Sequence, residues 1–244
     1  MIKPLVIVTS AVETRYGIFT ADQRLEMTLD TVRNLRERMP ECVIAISEVS
    51  GGGLQQKYED ALLEECDYYF DWTKDPGVGF IYTNPQWFQN WDVVKNLTEL
   101  TTFPKVLQGI IDQKILDEHA IDRCFKMSGR YQLNDKFNLA QYETDEWKHK
   151  VIIGKRYPSQ FPYEVTLLRE QYMCRLLSWP VSKHHDMTKW YGIGRDYMIS
   201  RLNAGGYSDI EHCLFYAIPP EEVHPVDEVG VFGNIAPNGA PIVN

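Results

Sequence analysis

The 244-residue chain contains no C-x-x-C pair, no G-x-G-x-x-G, no G-x-x-x-x-G-K-[ST], no G-x-S-x-G and no H-E-x-x-H. The last four absences disfavour a classical dinucleotide enzyme, a P-loop NTPase, an α/β-hydrolase and a zincin, each of which needs those residues at those spacings to hold its metal, phosphate or nucleophile. There is no excess of positive charge either: 25 Lys and Arg face 34 Asp and Glu, a net charge of -9. A protein that coats nucleic acid needs a basic face, so any anionic ligand here must be held locally. Long apolar runs are missing too. Leu5-Val6-Ile7-Val8 is too short for a signal peptide or a membrane span, and cytoplasmic residence is the expectation. The five cysteines (42, 66, 124, 174 and 213) are too scattered for a disulfide framework and read as reduced, mostly structural thiols. No repeat, heptad run or low-complexity tract appears, and without a secretory signal the Asn96-Leu97-Thr98 sequon reads as accidental.

What is present alternates strands and helices. Leu5 to Thr9 is a β-branched run suited to a central parallel strand, ending in a polar loop from Ser10 to Arg15. Leu25, Leu29, Val32, Leu35 and Met39 recur at helical spacing, Pro40 stops the helix, and Cys42 to Ser47 is a second buried strand before Gly51-Gly52-Gly53. Leu54 to Glu65 reads as a helix and Tyr68 to Phe70 as a third strand. This β-α-β-α-β order predicts an α/β fold with a mostly parallel central sheet flanked by helices and ligands at the carboxyl ends of the strands. Asp75 to Asn90 reads as a Gly/Pro/aromatic loop. Asn96 to Glu99 has capping-box form and opens a helical stretch in which Pro104 either kinks one helix or begins another.

That stretch leads into Cys124-Phe125-Lys126-Met127-Ser128-Gly129-Arg130-Tyr131-Gln132-Leu133-Asn134-Asp135. Phe125 and Met127 alternate with polar neighbours as in a strand, and Gly129 permits a turn that leaves Lys126 and Arg130 at the strand's end. Taken alone, such cations are solvated strand-end charges. After three βα units, they stand where a phosphate would be held. Beyond residue 150 the pattern is less regular. Lys150 to Gly154 reads as a strand, Glu164 to Leu177 as a helix with Val165, Leu168, Tyr172 and Leu176 on one face, and Asp186 to Asn203 as another helix. Ser208 and Glu211 have the spacing of a capping box, while Asp209 and Glu211 are also candidates for a general base, with His212 to orient either. His184, His185, His224 and Asp186 read as exposed or capping groups rather than a cation site. The glycine-rich tail from Val229 to Gly239 either folds across a site or forms a surface arm. Trp72, Trp87, Trp91 and Trp147 either stack on sugar rings or are packed.

The order of strand, Thr9-Ser10 loop, Arg24-opened helix, strand ending at Glu48, K-N-x-x-E start at Lys95 to Glu99, and F-K-M-S-G-R-Y resembles nucleotide-sugar-dependent glycosyltransferases of the GT-A type, notably small bacterial or viral ones with an F-K-x-x-G-R-Y segment. The resemblance covers most of residues 1–150 in element order, and only K-x-S-G-R-Y is specific. It implies one Rossmann-related GT-A-like domain over 1–244, with a nucleotide-sugar-binding part (1–150) and an acceptor-side part and tail (151–244). It further implies an enzyme of glycan biosynthesis that moves sugar from a nucleotide sugar to a carbohydrate or other hydroxyl acceptor, with inversion. Thr9, Ser10, Glu48, Lys95, Lys126, Gly129, Arg130 and Tyr131 would bind the donor, and Glu211 or Asp209 would be catalytic. One departure stands out: most GT-A enzymes carry an Asp-x-Asp that holds a divalent cation, and none occurs here. Lys126 and Arg130 stand in its place, which is coherent with metal-independent transfer. Mg or Mn held by Glu48, Asp71 or Asp135 from separate segments is the alternative. The competing functions are a non-catalytic sugar- or nucleotide-binding relative and a nucleotidyltransferase.

Overall fold

The computed structural model describes residues 2–159, 168–235 and 238–243. A seven-stranded sheet has the order β3-β2-β1-β4-β7-β6-β8. Its strands are β1 (Pro4–Ser10), β2 (Val43–Glu48), β3 (Tyr68–Asp71), β4 (Arg123–Ser128), β6 (Val151–Pro158), β7 (Glu170–Pro180) and β8 (Val223–Val226). Only β7 runs against the others. The chain moves from β1 outward through β2 and β3, then returns to lay β4 on the other side of β1, so the sheet reverses its winding direction between β1 and β4. A crevice opens at the carboxyl ends of the strands at such a point.

Strand periodicity sorts the side chains to two faces. Leu5, Ile7 and Cys124 pack on one face with the helices α3 (Pro76–Thr83), α4 (Trp91–Asp112), α6 (His184–Asn203) and α7 (Ile210–Ala217). Val6, Val8, Phe125 and Met127 pack on the other with α1 (Ala21–Arg38) and α2 (Gln56–Glu65). The short α5 (Ile115–Glu118) closes the turn before β4. By the same alternation Lys126, between Phe125 and Met127, points toward α4. A second sheet of three strands, β10-β9-β5, is built from β5 (Tyr131–Leu133), β9 (Val231–Asn234) and β10 (Pro241–Val243). The tail is thus paired to the strand that follows Arg130.

Several expectations are corrected. The loop expected from Asp75 to Asn90 contains α3, because Asp75 caps it by accepting from the Gly77 and Val78 amides and Pro76 occupies its first turn. Helix α4 begins at Trp91 behind an Asn90 cap rather than at Asn96, and it runs continuously through Pro104. Asn96 is fully buried, its side-chain amide donating to Asp92 and Tyr207, so the sequon is enclosed in the folded protein. The helix expected over 164–177 is replaced by β7, which starts at Glu170; residues 164–167 lie outside those described. Leu168, Tyr172 and Leu176 do recur at helical spacing, but pairing with β4 and β6 along this run overrides it.

Candidate active site

The crevice between the ends of β1 and β4 is a cleft of about 1140 Å³, counting its open part. Its geometry begins with Gly129. The Gly129 amide donates to the Thr9 carbonyl at 2.9 Å, drawing the end of β4 against β1. A Cβ on Gly129 would lie 2.7 Å from the Thr28 hydroxyl oxygen on α1, so only glycine fits beneath that helix. The chain then turns at Arg130 into β5, whose Tyr131 pairs with Gly233 of β9. Gly233 has φ +151°, and a Cβ there would sit 2.2 Å from the Arg130 carbonyl oxygen.

The cleft has two unlike ends. Near β1 and β2 it is lined by Ala11, Thr14, Tyr16, Val49 and Tyr82. The Tyr16 and Tyr82 rings lie 6.1 Å apart, and Arg15 pins their segment by donating to the Tyr82 and Phe88 carbonyls. Near β4, β7 and α4 the lining is cationic, with Arg24, Lys95, Lys126, Arg130 and Arg175. Arg24 is buried and donates to the Tyr16 and Phe19 carbonyls, Arg130 donates to the Ser128 hydroxyl, and Arg175 donates to the Tyr131 hydroxyl at 2.9 Å. Among the described residues none of these three guanidiniums has a carboxylate within ion-pair distance. Burial and mutual repulsion pull the pKa of Arg24 below its usual value; burial does the same to Arg130, with Arg175 adding to it. Both groups stay charged, since an arginine loses its proton only far above neutrality. Three cations gathered in a concave, partly dry site, none of them in an ion pair among the described residues, are poised for an anion.

Of the donor-site residues expected from sequence, the structure brings Thr9, Ser10, Lys95, Lys126, Gly129, Arg130 and Tyr131 to this cleft. Lys126 is not free. Its Nζ lies 2.5 Å from Glu99 Oε1 in a nearly enclosed ion pair, so its charge is already matched. Glu48 is not in the cleft. It is fully buried, accepting from the Val12 and Ser50 amides and the Ser50 hydroxyl, and it holds the loop after β1 in shape. Burial pushes its pKa up, against those hydrogen bonds.

Asp209 and Glu211 part company at the start of α7. Asp209 is the N-cap, accepting from the His212 amide at 2.9 Å, so the expected Ser208 cap is displaced by one residue. Glu211, two residues on, faces the cleft. Burial and the Asp209 charge raise its pKa, while Lys95 and Arg175 pull the other way. Desolvation opposes the charge on Lys95, but Glu211 and the neighbouring acids outweigh it and raise its pKa. Arg24 and Arg175 were not legible as site residues, though each left a signal. An arginine in a first helical turn opposes the helix dipole, and an arginine inside an apolar strand is rarely there for packing.

These residues do not form a donor set for a divalent cation. Glu99 is held by Lys126, Glu48 is closed in by backbone donors, Asp71 accepts from the Thr73 amide, and Asp135 pairs with Arg38. Among the described residues no group of three His, Cys, Asp or Glu is placed to hold a metal. His184 is buried against the Leu107 carbonyl and Trp179, and His224 lies beside Glu146. Of the four tryptophans considered for sugar stacking, only Trp91 lines the cleft. Among the described residues no helix is long and apolar enough to cross a membrane.

No protein-family model matches the chain, and no curated protein matches it in sequence. Solved structures do match. An active-site variant of LgtC superposes with a TM-score of 0.54 at 9% identity, over 92% of this chain and 72% of that one. The galactosyltransferase LgtC in complex with donor and acceptor sugar analogs superposes at 0.50 and 9% identity, over 92% and 73%. At that identity the likeness is one of fold: the chain has the GT-A glycosyltransferase fold, as its mostly parallel sheet and the crevice beside β1 lead one to expect.

Proposed function

We propose that the protein is a glycosyltransferase that uses a nucleotide-activated sugar and transfers it, without a metal ion, to a carbohydrate or other hydroxyl acceptor with inversion. The observation that carries this reading is the trio Arg24, Arg130 and Arg175, three guanidiniums that have no ion-pair partner among the described residues and line the cleft beside the ends of β1 and β4, where GT-A enzymes commonly place a cation-binding Asp-x-Asp. The nucleoside lies toward Tyr16 and Tyr82, whose rings offer stacking surface, and the diphosphate lies toward the arginines. Glu211 takes the proton from the acceptor hydroxyl. That oxygen bonds to the anomeric carbon as the bond from this carbon to the diphosphate breaks, and the charge left on the diphosphate meets guanidiniums already in place. A raised pKa suits Glu211 to this, since a carboxylate of ordinary acidity is a weak base at neutral pH.

The test is a screen of nucleotide sugars for binding and for hydrolysis or transfer, with and without EDTA. Turnover that survives EDTA is expected. Turnover abolished by EDTA would sink the metal-free mechanism alone, binding without turnover would favour a non-catalytic relative, and neither binding nor turnover would sink the proposal.

A further inference from the structure

Of the large apolar side chains that stand exposed among the described residues, Trp91 alone lines the cleft. It opens α4, and its side chain is 36% exposed. Among the described residues the indole stacks on no other ring, and its N–H has no acceptor. A tryptophan gains most by covering its ring, so one left open at the edge of a site is surface offered to a ligand.

The ring stands on a fixed base. Asn90 caps α4 by accepting from the Asp92 and Val93 amides at 3.1 Å and 3.4 Å. Asp92 accepts from the Asn96 side-chain amide at 3.0 Å and from the Tyr207 hydroxyl, and the same Asn96 amide donates to Tyr207 at 2.9 Å. Tyr207 belongs to the segment that leads into α7 and precedes Glu211 by four residues, a stretch of chain that spans at most about 14 Å. The first turn of α4 is thereby tied to the start of the helix that carries Glu211. Lys95, one turn along α4 on the same face, continues the cleft wall.

The chemistry of the wall says what it recognises. An indole offers a flat apolar face with one N–H at its edge. A pyranose has a face of C–H bonds with hydroxyls around its rim, so the ring and the N–H meet both parts of it at once. An alkyl chain would need a continuous apolar groove, which a single exposed ring does not supply. A nucleobase would stack as well, but Tyr16 and Tyr82 already offer it a surface.

We propose that Trp91 is the acceptor platform of the cleft and that the acceptor is a sugar whose pyranose face lies on the indole, with its reacting hydroxyl turned toward Glu211. The inference rests on the transferase reading and narrows the acceptor from any hydroxyl compound to a carbohydrate.

The test is an NMR titration of protein carrying nitrogen-15 in its indole groups, with the Trp91 signal assigned by Trp91→Phe. The probes are methyl β-galactoside, methyl β-glucoside and methyl α-mannoside, each with UDP or GDP present, and then uridine and guanosine alone. At least one glycoside is expected to move the Trp91 resonance, and neither nucleoside. Trp91→Ala should weaken that glycoside about 3- to 10-fold, the worth of one aromatic contact, and Trp91→Phe should restore most of it. With a donor that turns over, Trp91→Ala should raise the acceptor KM and send a larger share of the donor to water. A resonance that no glycoside moves would overturn the proposal. So would one moved by a nucleoside instead, or an unchanged partition between transfer and hydrolysis in Trp91→Ala. The titration needs no turnover: a glycoside bound at Trp91 in a protein that cleaves no nucleotide sugar would count against the transferase reading while upholding Trp91 as a sugar platform, and turnover with a silent Trp91 would sink the platform alone.

Discussion

Lys126 and Glu99 form an ion pair of 2.5 Å under the cleft, with side-chain exposures of 8% and 12%. Strand alternation sends Lys126 toward α4 and the helix brings Glu99 to meet it, so the most conspicuous cation of the sequence motif is a joint between the sheet and α4. Removing one partner of a buried pair leaves the other uncompensated, at a cost of about 3–5 kcal/mol. Lys126→Met is therefore expected to lower unfolding free energy in urea by about 3 kcal/mol, and the double variant Lys126→Met/Glu99→Gln to recover most of it. A single variant as stable as wild type would show that the pair is immaterial to folding.

Arg130 should behave differently. It has no carboxylate partner among the described residues, and its contact with Ser128 is long, at 3.2 Å and 3.4 Å. Calorimetry with Arg130→Ala is expected to show nucleoside diphosphate binding weakened about 10- to 100-fold, the worth of hydrogen bonds to a charged group, with nucleoside binding nearly unchanged. Equal losses for both ligands would place Arg130 outside the diphosphate site.

Glu211 links activity to stability with a definite sign. Burial and Asp209 raise its pKa, so the folded protein holds this proton more tightly than the unfolded chain does. Its contribution to stability is complete below the unfolded carboxylate's pKa, about 4.3, and is lost as pH rises through the raised folded value. Glu211→Gln escapes that loss. The variant should match wild type in thermal stability near pH about 4 and exceed it above neutrality, while turnover falls by about 10²- to 10⁴-fold. A variant less stable than wild type at alkaline pH would contradict the assignment.

The contrast between Lys126 and Arg130 shows how far the sequence could be read. The β-branched run of β1, the periodicity of α1 and the break at Pro40 reveal the first half of the sheet, since each is a local signal. Strand β7 hides because it is buried along much of its length, which erases the two-residue alternation and leaves a helical spacing by coincidence. Helix α3 had a local signal in Asp75-Pro76, outweighed by the glycines and aromatics that follow. The pairing of Lys126 with Glu99, and the gathering of Arg24 and Arg175 beside Arg130, depend on residues far apart in the chain. No window of sequence contains them.

The pairing of β5 with β9 carries a consequence for synthesis. Tyr131 and Gly233 lie about a hundred residues apart: α1 holds β5 through Thr31 and Asn34, but among the described residues its one strand partner is β9, at residues 231–234. A nascent chain that has made β1 to β5 holds Arg24 and Arg130 but not Arg175, and its β5 is tied to α1 but not yet to a second strand. Contacts so distant in sequence form late, so the small sheet beside the Arg130 turn is completed only after residues 231–234 have been made.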